Sequence, residues 1–400
     1  MTVLVTNAKS RMAYNVARSL GQKGIDVIAS DFVSTSMSFA SRYVKNRFIY
    51  PSPFRQGDSF IDCLIERIQR HDIKVLIPIF EETFLISKNK DRFDGLVGFV
   101  LPDYEQILLT HNKDQWEKTA RENGLNVPNN YSISLLRSGA ISLNTISYPA
   151  LIKPKQGGGG WAIIQVNSPQ QLEKLLDNPK YNGLSWDRFF IQEKISGETQ
   201  CVAMLFRQGE LRAKVCYKQL RDFPVNGGQA TLRISLRNEN LENDFEKLLR
   251  NLKWNGVCQG DFVIDEKTQT PYLIDINPRF WGSLAQAIAS GVDFPFLLYQ
   301  IALEGDVEAV EGFEVGVMSR WIGGDLRALA SQWFGGGKGN LTLLKDYLFV
   351  SKGVKKVYLD DFSLTDPLPF ALWVYDIIYR MIKHGSLKPG THESLTGIWK

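Results

Sequence analysis

Residues 256–282, GVCQGDFVIDEKTQTPYLIDINPRFWG, space two aspartates, an asparagine and an arginine in a way that suits a cation and an anion together. Two apolar runs, VCQGDFVID and PYLIDIN, flank the polar residues 266–270 and predict a β-hairpin. In the simplest register Asp265 faces Pro271, so Asp261 faces Asp275. Side chains alternate along a strand, which puts Asn277 on the face of Asp275. Carboxylates set opposite each other destabilise a bare sheet, and a cation between them removes the conflict. Two carboxylates and an amide oxygen are hard ligands, suited to Mg²⁺ or Mn²⁺ that also holds phosphate oxygens. Arg279 follows two residues on, and its guanidinium suits a developing phosphoryl or carboxylate charge. An ordinary surface hairpin accounts poorly for Asp275, an acid inside the apolar run YLIDIN.

A second stretch, residues 150–164 (ALIKPKQGGGGWAII), places Lys153 at the end of a strand. Gly157, Gly158, Gly159 and Gly160 then let the backbone approach a phosphate with N–H groups turned inward. A strand over 162–166 returns. This is strand, glycine loop, strand, and it lacks the GK[ST] ending of a P-loop.

The elements that must position these groups start with an alternation of strands and helices. Strands are predicted at 3–6, 26–30, 75–79 and 96–101, and helices at 12–20 and 60–70. Alternating β and α gives a parallel, doubly wound sheet whose ligands sit at the carboxyl ends of the strands. Those ends carry residues 7–11, Asp31 and the run 78–83. Glu81 or Glu82 there is a candidate for a substrate amine; each would equally cap the helix that follows. The first turn, TNAKSRMA, contains no glycine, so the GxGxxG of a dinucleotide site is missing and NAD is excluded.

Further along, helices are predicted at 114–123, 168–176, 243–252, 283–290 and 293–303. A strand at 190–195 and a hairpin of 201–207 with 211–217 precede residues 218–233, a segment rich in charge and turn residues. Lys218, Arg221 and Arg233 in that segment are weaker candidates for phosphate or substrate contacts, against an ordinary solvated basic rim. Residues 367–382 form an amphipathic helix, read first as packing on the body and second as a dimer or membrane-surface contact.

Composition sets the outer bounds. With 400 residues, 44% hydrophobic and 22% charged, the chain has material for two to three globular domains. A formal net charge of +4, with basic residues interspersed among acids, does not point to nucleic acid. Cys63, Cys201, Cys216 and Cys258 show no CxxC spacing, which implies neither a zinc site nor a disulfide framework and suits a reducing, cytoplasmic setting. The sequence MTVLVTNAKS begins with a strand rather than a signal peptide, and no run reaches the roughly 18 apolar residues of a membrane span.

Taken together and in order, these stretches resemble the ATP-grasp superfamily of carboxylate–amine (or carboxylate–thiol) ligases, on the branch with carbamoyl-phosphate synthase and biotin carboxylase. The resemblance runs from residue 1 to about 305. His111-Asn-Lys113-Asp looks like the start of the central region, with Lys113 on nucleotide phosphate; Leu151-Ile-Lys153-Pro matches the second nucleotide lysine. Gly157 to Gly160 match the flap over the phosphates. Ile191-Gln-Glu-Lys-Ile195-Ser-Gly-Glu198 resembles the adenine hinge, with Glu193, Lys194 and Ile195 at the base and Glu198 on the ribose. Asp261, Asp275 and Asn277 match the metal ligands, and Arg279 the arginine that follows them. The family usually has glutamate where Asp261 and Asp275 stand, and a small or basic residue where Trp161 stands. A biotin-carrier motif, a glutamine-amidotransferase half and a second internal copy are missing from the sequence.

The resemblance implies an α/β ATP-grasp fold with a Rossmann-like N-terminal domain at 1–105. An ATP-grasp domain would follow at 106–310 (lid about 125–200, metal part about 200–310), then an accessory region at 311–400. It implies ATP and Mg²⁺ as cofactors, small-molecule carboxylate and amine substrates with an amino acid foremost, and a homodimer as the assembly. Lys153 and Arg279 would be the catalytic groups, acting in phosphoryl transfer to a carboxylate and capture of the acyl phosphate by an amine. The alternative is a protein that binds ATP as a sensor or scaffold without ligating.

Overall fold

The computed structural model describes residues 1–155, 163–178, 185–223, 228–334 and 357–384. Its first sheet holds β1 (Thr2–Val5), β2 (Asp26–Asp31), β3 (Val44–Ile49) and β4 (Ile73–Ile77) in the order β3-β2-β1-β4, all parallel. The alternation of strand and helix thus folds as expected, with two differences. Residues 44–49, VKNRFI, form an edge strand that the sequence conceals, because most of its side chains face solvent and Lys45 and Arg47 are charged. The strand expected at 96–101 makes only a single bridge, Val75 to Gly98, where a Cβ on Gly98 would lie 2.2 Å from the Ala302 carbonyl oxygen.

The second sheet is antiparallel: β5 (Asn130–Ser132), β6 (Ala150–Pro154), β7 (Ile164–Val166) and β8 (Phe189–Glu193), in the order β5-β8-β6-β7. Its helix Pro169–Leu176 opens on Ser168, whose hydroxyl accepts from the Gln171 N–H as a cap. Leu172, Leu176, Ile152, Ile191 and Trp186 give this unit its own small core.

The third sheet holds β9 (Gly197–Arg207), β10 (Glu210–Phe223), β11 (Gln229–Ser235), β12 (Gly256–Asp265), β13 (Pro271–Asn277), β14 (Met318–Arg320) and β15 (Val357–Leu359). Their order is β13-β12-β9-β10-β11-β14-β15, antiparallel except for β14 with β15. Gln208 and Gly209 join β9 to β10 with φ of 51° and 87°, the left-handed pair that suits a two-residue hairpin. β9 is buried on both faces. Cys201, Ala203 and Leu205 pack with Val3, Val5 and Leu20 of the first unit and with Trp281 and Phe294. Val202, Met204 and Phe206 pack with Trp254 and with Phe245 and Leu248 of the helix Glu239–Asn251.

Residues 218–223 and 229–233 lie in β10 and β11, so the segment read as rich in charge and turn residues is strand on both sides of residues 224–227, which fall outside the described residues. Alternating polar side chains on long, partly covered strands gave the segment its loop-like composition. The helix Leu368–His384 packs through Phe370 and Trp373, the latter against Gly323, and exposes Tyr375, Ile378 and Ile382. Among the described residues no helix is long and apolar enough to cross a membrane.

Candidate active site

The hairpin β12–β13 brings Asp261 and Asp275 directly opposite each other, with Asn277 opposite Gln259. The route to this register is not the simplest one. Ile264, not Asp265, faces Pro271, and an irregularity between Asp261 and Phe262 takes up Ile274 as an extra residue before the aspartates meet. Around Asp261 the chain sets donors: Gln259 Nε2 at 2.6 Å and Cys201 Sγ at 2.9 Å on Oδ1, and Asn277 Nδ2 at 3.3 Å on Oδ2. Asn277 Nδ2 also donates to Gln259 Oε1 at 2.8 Å, which leaves its carbonyl oxygen as the atom to offer a cation. Burial, and then the facing Asp275, push the Asp261 carboxyl up to about 6, despite these donors. A partly buried carboxylate that remains costly after three hydrogen bonds fits a site completed by a cation. Gln259 and Cys201 were not singled out from sequence. Gln259 was findable, since it lies two residues before Asp261 on the same strand face.

Arg279 leaves the hairpin toward the first sheet. Its guanidinium lies 4.2 Å from the ring centroid of Phe80 and donates from Nη1 to the Phe280 carbonyl at 3.0 Å. Burial lowers its pKa, while Glu81, Asp275, Glu82 and Asp261 act in that order to keep it charged. The turn after β4 therefore meets the hairpin at Arg279, and Glu81 and Asp275 both bear on this one cation. Glu82 is used within its own unit. Its Oε1 accepts from the Ile79 and Phe80 N–H groups at 3.1 Å each and from Thr6 Oγ1 at 2.5 Å.

Lys153 stands near the end of β6 and is buried, with Nζ 2.5 Å from Gln192 Oε1 on β8. Glu193 ends β8, accepting from Asn129 Nδ2 at 2.8 Å, and Lys194 Nζ donates to Gln165 Oε1 at 2.8 Å. Ile195 follows in the short connection to β9. Glu198, on β9, accepts from Gln200 at 2.6 Å and Lys218 at 3.1 Å. Partial burial alone would raise its pKa, but these two donors outweigh it and hold the carboxyl below the usual range. The backbone of Lys113 opens the helix Lys113–Glu122, while its side chain, Trp161 and the glycines 157–160 lie outside the described residues.

Of the weaker candidates, Lys218 pairs with Glu198 near the start of β9. Arg221 pairs with Asp325 at 2.6 Å, and Arg233 is fully buried against Asp360 at 2.8 Å. A solvated basic rim is therefore the wrong description of Arg233, which is fully buried and neutralised by Asp360, the residue that follows β15.

Residues 110–283 match the family described as ATP-grasp domain. The chain carries an ATP-grasp domain. Over 233 residues it is 22% identical to the carbamoyl phosphate synthase large chain of Thermotoga maritima, covering 55% of this chain and 20% of that one. The chain thus spans about a fifth of that relative's length. Among solved structures, biotin carboxylase from Campylobacter jejuni superposes with a TM-score of 0.64 at 16% identity, covering 79% of this chain and 74% of that one. L-amino acid ligase from Bacillus licheniformis gives 0.59 at 16% identity, covering 77% and 75%. The ATP-grasp fold and the Rossmann-like parallel sheet before it, expected from sequence, are those of these neighbours.

Proposed function

We propose that the protein is an ATP-dependent carboxylate–amine ligase. It would join an acid to an amine through an acyl phosphate, forming an amide and releasing ADP and phosphate. The observation that carries the reading is the hairpin that sets Asp261 against Asp275, with Asn277 beside them and Arg279 next along the chain. The Campylobacter jejuni biotin carboxylase was solved as a β-γ-ATP complex, and the Bacillus licheniformis protein is named a ligase of amino acids. Both names favour a nucleotide and a carboxylate here.

In this reading Asp261, Asp275 and the Asn277 carbonyl would hold Mg²⁺, and Lys153 would face nucleotide phosphates. Glu193, Lys194, Ile195 and Glu198 would border the base and ribose, and Lys113 and the glycines 157–160 keep the phosphate role that the resemblance implies. When bound, Mg·ATP supplies the phosphoryl group. The chain supplies charge and position: Arg279, stacked on Phe80, steadies the substrate carboxylate and the oxyanion that follows. Glu81, whose charge acts on Arg279, would help to fix that guanidinium and would meet the incoming amine. The first step needs little acid–base work, so positioning and charge dominate its rate.

The test is ADP release from Mg·ATP with pooled carboxylic acids and amines, read together with product mass. ADP formation that needs one acid and one amine, with a product lighter than their sum by one water, supports the reading. ATP binding with no stimulated release by any pool counts against it and favours a sensor.

A further inference from the structure

Arg11 is a cation that no step above uses. It opens the helix Arg11–Gln22 directly after β1, and its side chain is only 10% exposed. Its guanidinium carbon lies over the Trp321 ring, 3.7 Å from the centroid. Nε donates to the Gly282 carbonyl at 2.9 Å, and Nη1 makes a long contact of 3.3 Å to the exposed amide oxygen of Gln229. Nη2 is buried with no acceptor among the described residues. Asp360 does not fill the need: its Oδ2 is 3.7 Å from Nε and already accepts from Arg233 at 2.8 Å.

Asp360 and Asp361 attract Arg11, while Arg233 and Arg327 push against it. The position is one where ligands are received. β1 lies between β2 and β4 in the parallel sheet, and open α/β sheets bind ligands where the connections diverge at the carboxyl ends. Gly282, which Arg11 touches, is three residues past Arg279. Yet the charges acting on Arg279 include Asp261 and Asp275, and those acting on Arg11 are a different set. Arg11 thus lies next to the proposed reaction centre through Gly282.

We infer that the Nη1–Nη2 edge of Arg11 binds a substrate carboxylate that stays unreacted, displacing the Gln229 amide, so that one substrate is an amino acid or a dicarboxylic acid. This rests on the ligase reading for the word substrate, though not for the site. A planar carboxylate gives both nitrogens an acceptor at once, which a lone amide oxygen cannot do.

The experiment is thermal unfolding of the full chain with pooled amino acids, pooled dicarboxylic acids, and the same compounds as carboxamides. One carboxylate pool is expected to stabilise the wild type and its carboxamides are not, which also says which class binds. Arg11→Gln weakens that binding roughly 10–100-fold and Arg11→Lys less, while both keep the shift given by Mg·ATP. Should Arg11→Gln fail to fold, Gly282→Ala keeps the guanidinium and sets a methyl 2.9 Å from Nη2, and is expected to weaken binding too. An unchanged carboxylate shift in these variants, or no shift from either pool in the wild type, overturns the inference. A shift lost in Arg11→Gln without substrate-dependent ADP release would instead remove the ligase reading and leave the carboxylate site standing.

Discussion

Asp261 shows how a candidate metal ligand trades stability for binding. Its folded pKa of about 6 lies above the ordinary 3.8, so the folded chain holds this proton more tightly than the unfolded one. Metal-free stability from this group is therefore greatest below the unfolded value and is lost as pH rises toward 6. At neutral pH Asp261→Asn should stabilise the metal-free protein by about 1–3 kcal/mol, measured by chemical denaturation, and abolish any Mg²⁺-dependent shift. The same proton competes with the cation, so Mg·ATP affinity in the wild type should fall as pH drops below about 6, followed by calorimetric titration. Asp275→Ala and Lys153→Ala should each lower ATP turnover by about 10²–10³ or more while the far-ultraviolet circular dichroism is unchanged. Wild-type turnover in either folded variant would refute its assignment.

At the scale of elements, the hairpin depends on a glycine that allows a ring to approach. A Cβ on Gly260 would lie 2.8 Å from the Phe245 ring, which stands edge-on to Phe262 at 5.7 Å. Gly260→Ala should cost about 1–3 kcal/mol and displace β12 next to Asp261, so the unfolding midpoint and Mg·ATP affinity fall together. Unchanged affinity would mean that the aspartates are held independently of this packing. The hairpin was legible in the sequence because apolar runs, a polar turn and facing acids point the same way. The extra residue at Ile274 was not, since a bulge leaves no mark in composition. Edge strand β3 and the short strands β14 and β15 were hidden for a related reason: few or solvent-facing residues carry no readable alternation. Arg11 was passed over because nothing in TNAKSRMA distinguishes a buried arginine from an exposed one.

At the scale of the molecule, the C-terminal residues bind the first and third sheets together. Asp360, just after β15, meets Arg233 with neither side chain exposed, and Asp366 accepts from Ser41 Oγ at 2.5 Å and the Arg42 N–H at 3.0 Å. Asp360→Ala leaves Arg233 buried and uncompensated and should destabilise by about 3–5 kcal/mol in chemical denaturation. Arg233→Met with Asp360→Leu should recover most of that loss; an equal loss in the double variant would show that the pair is not its source. The central claim concerns what these tied units do jointly, and Mg·ATP turnover with pooled acids and amines tests it most directly. ADP release is expected only when an acid and an amine are both present, with a product one water lighter than their sum. ADP release indifferent to both pools, or none at all while ATP binds, would contradict it.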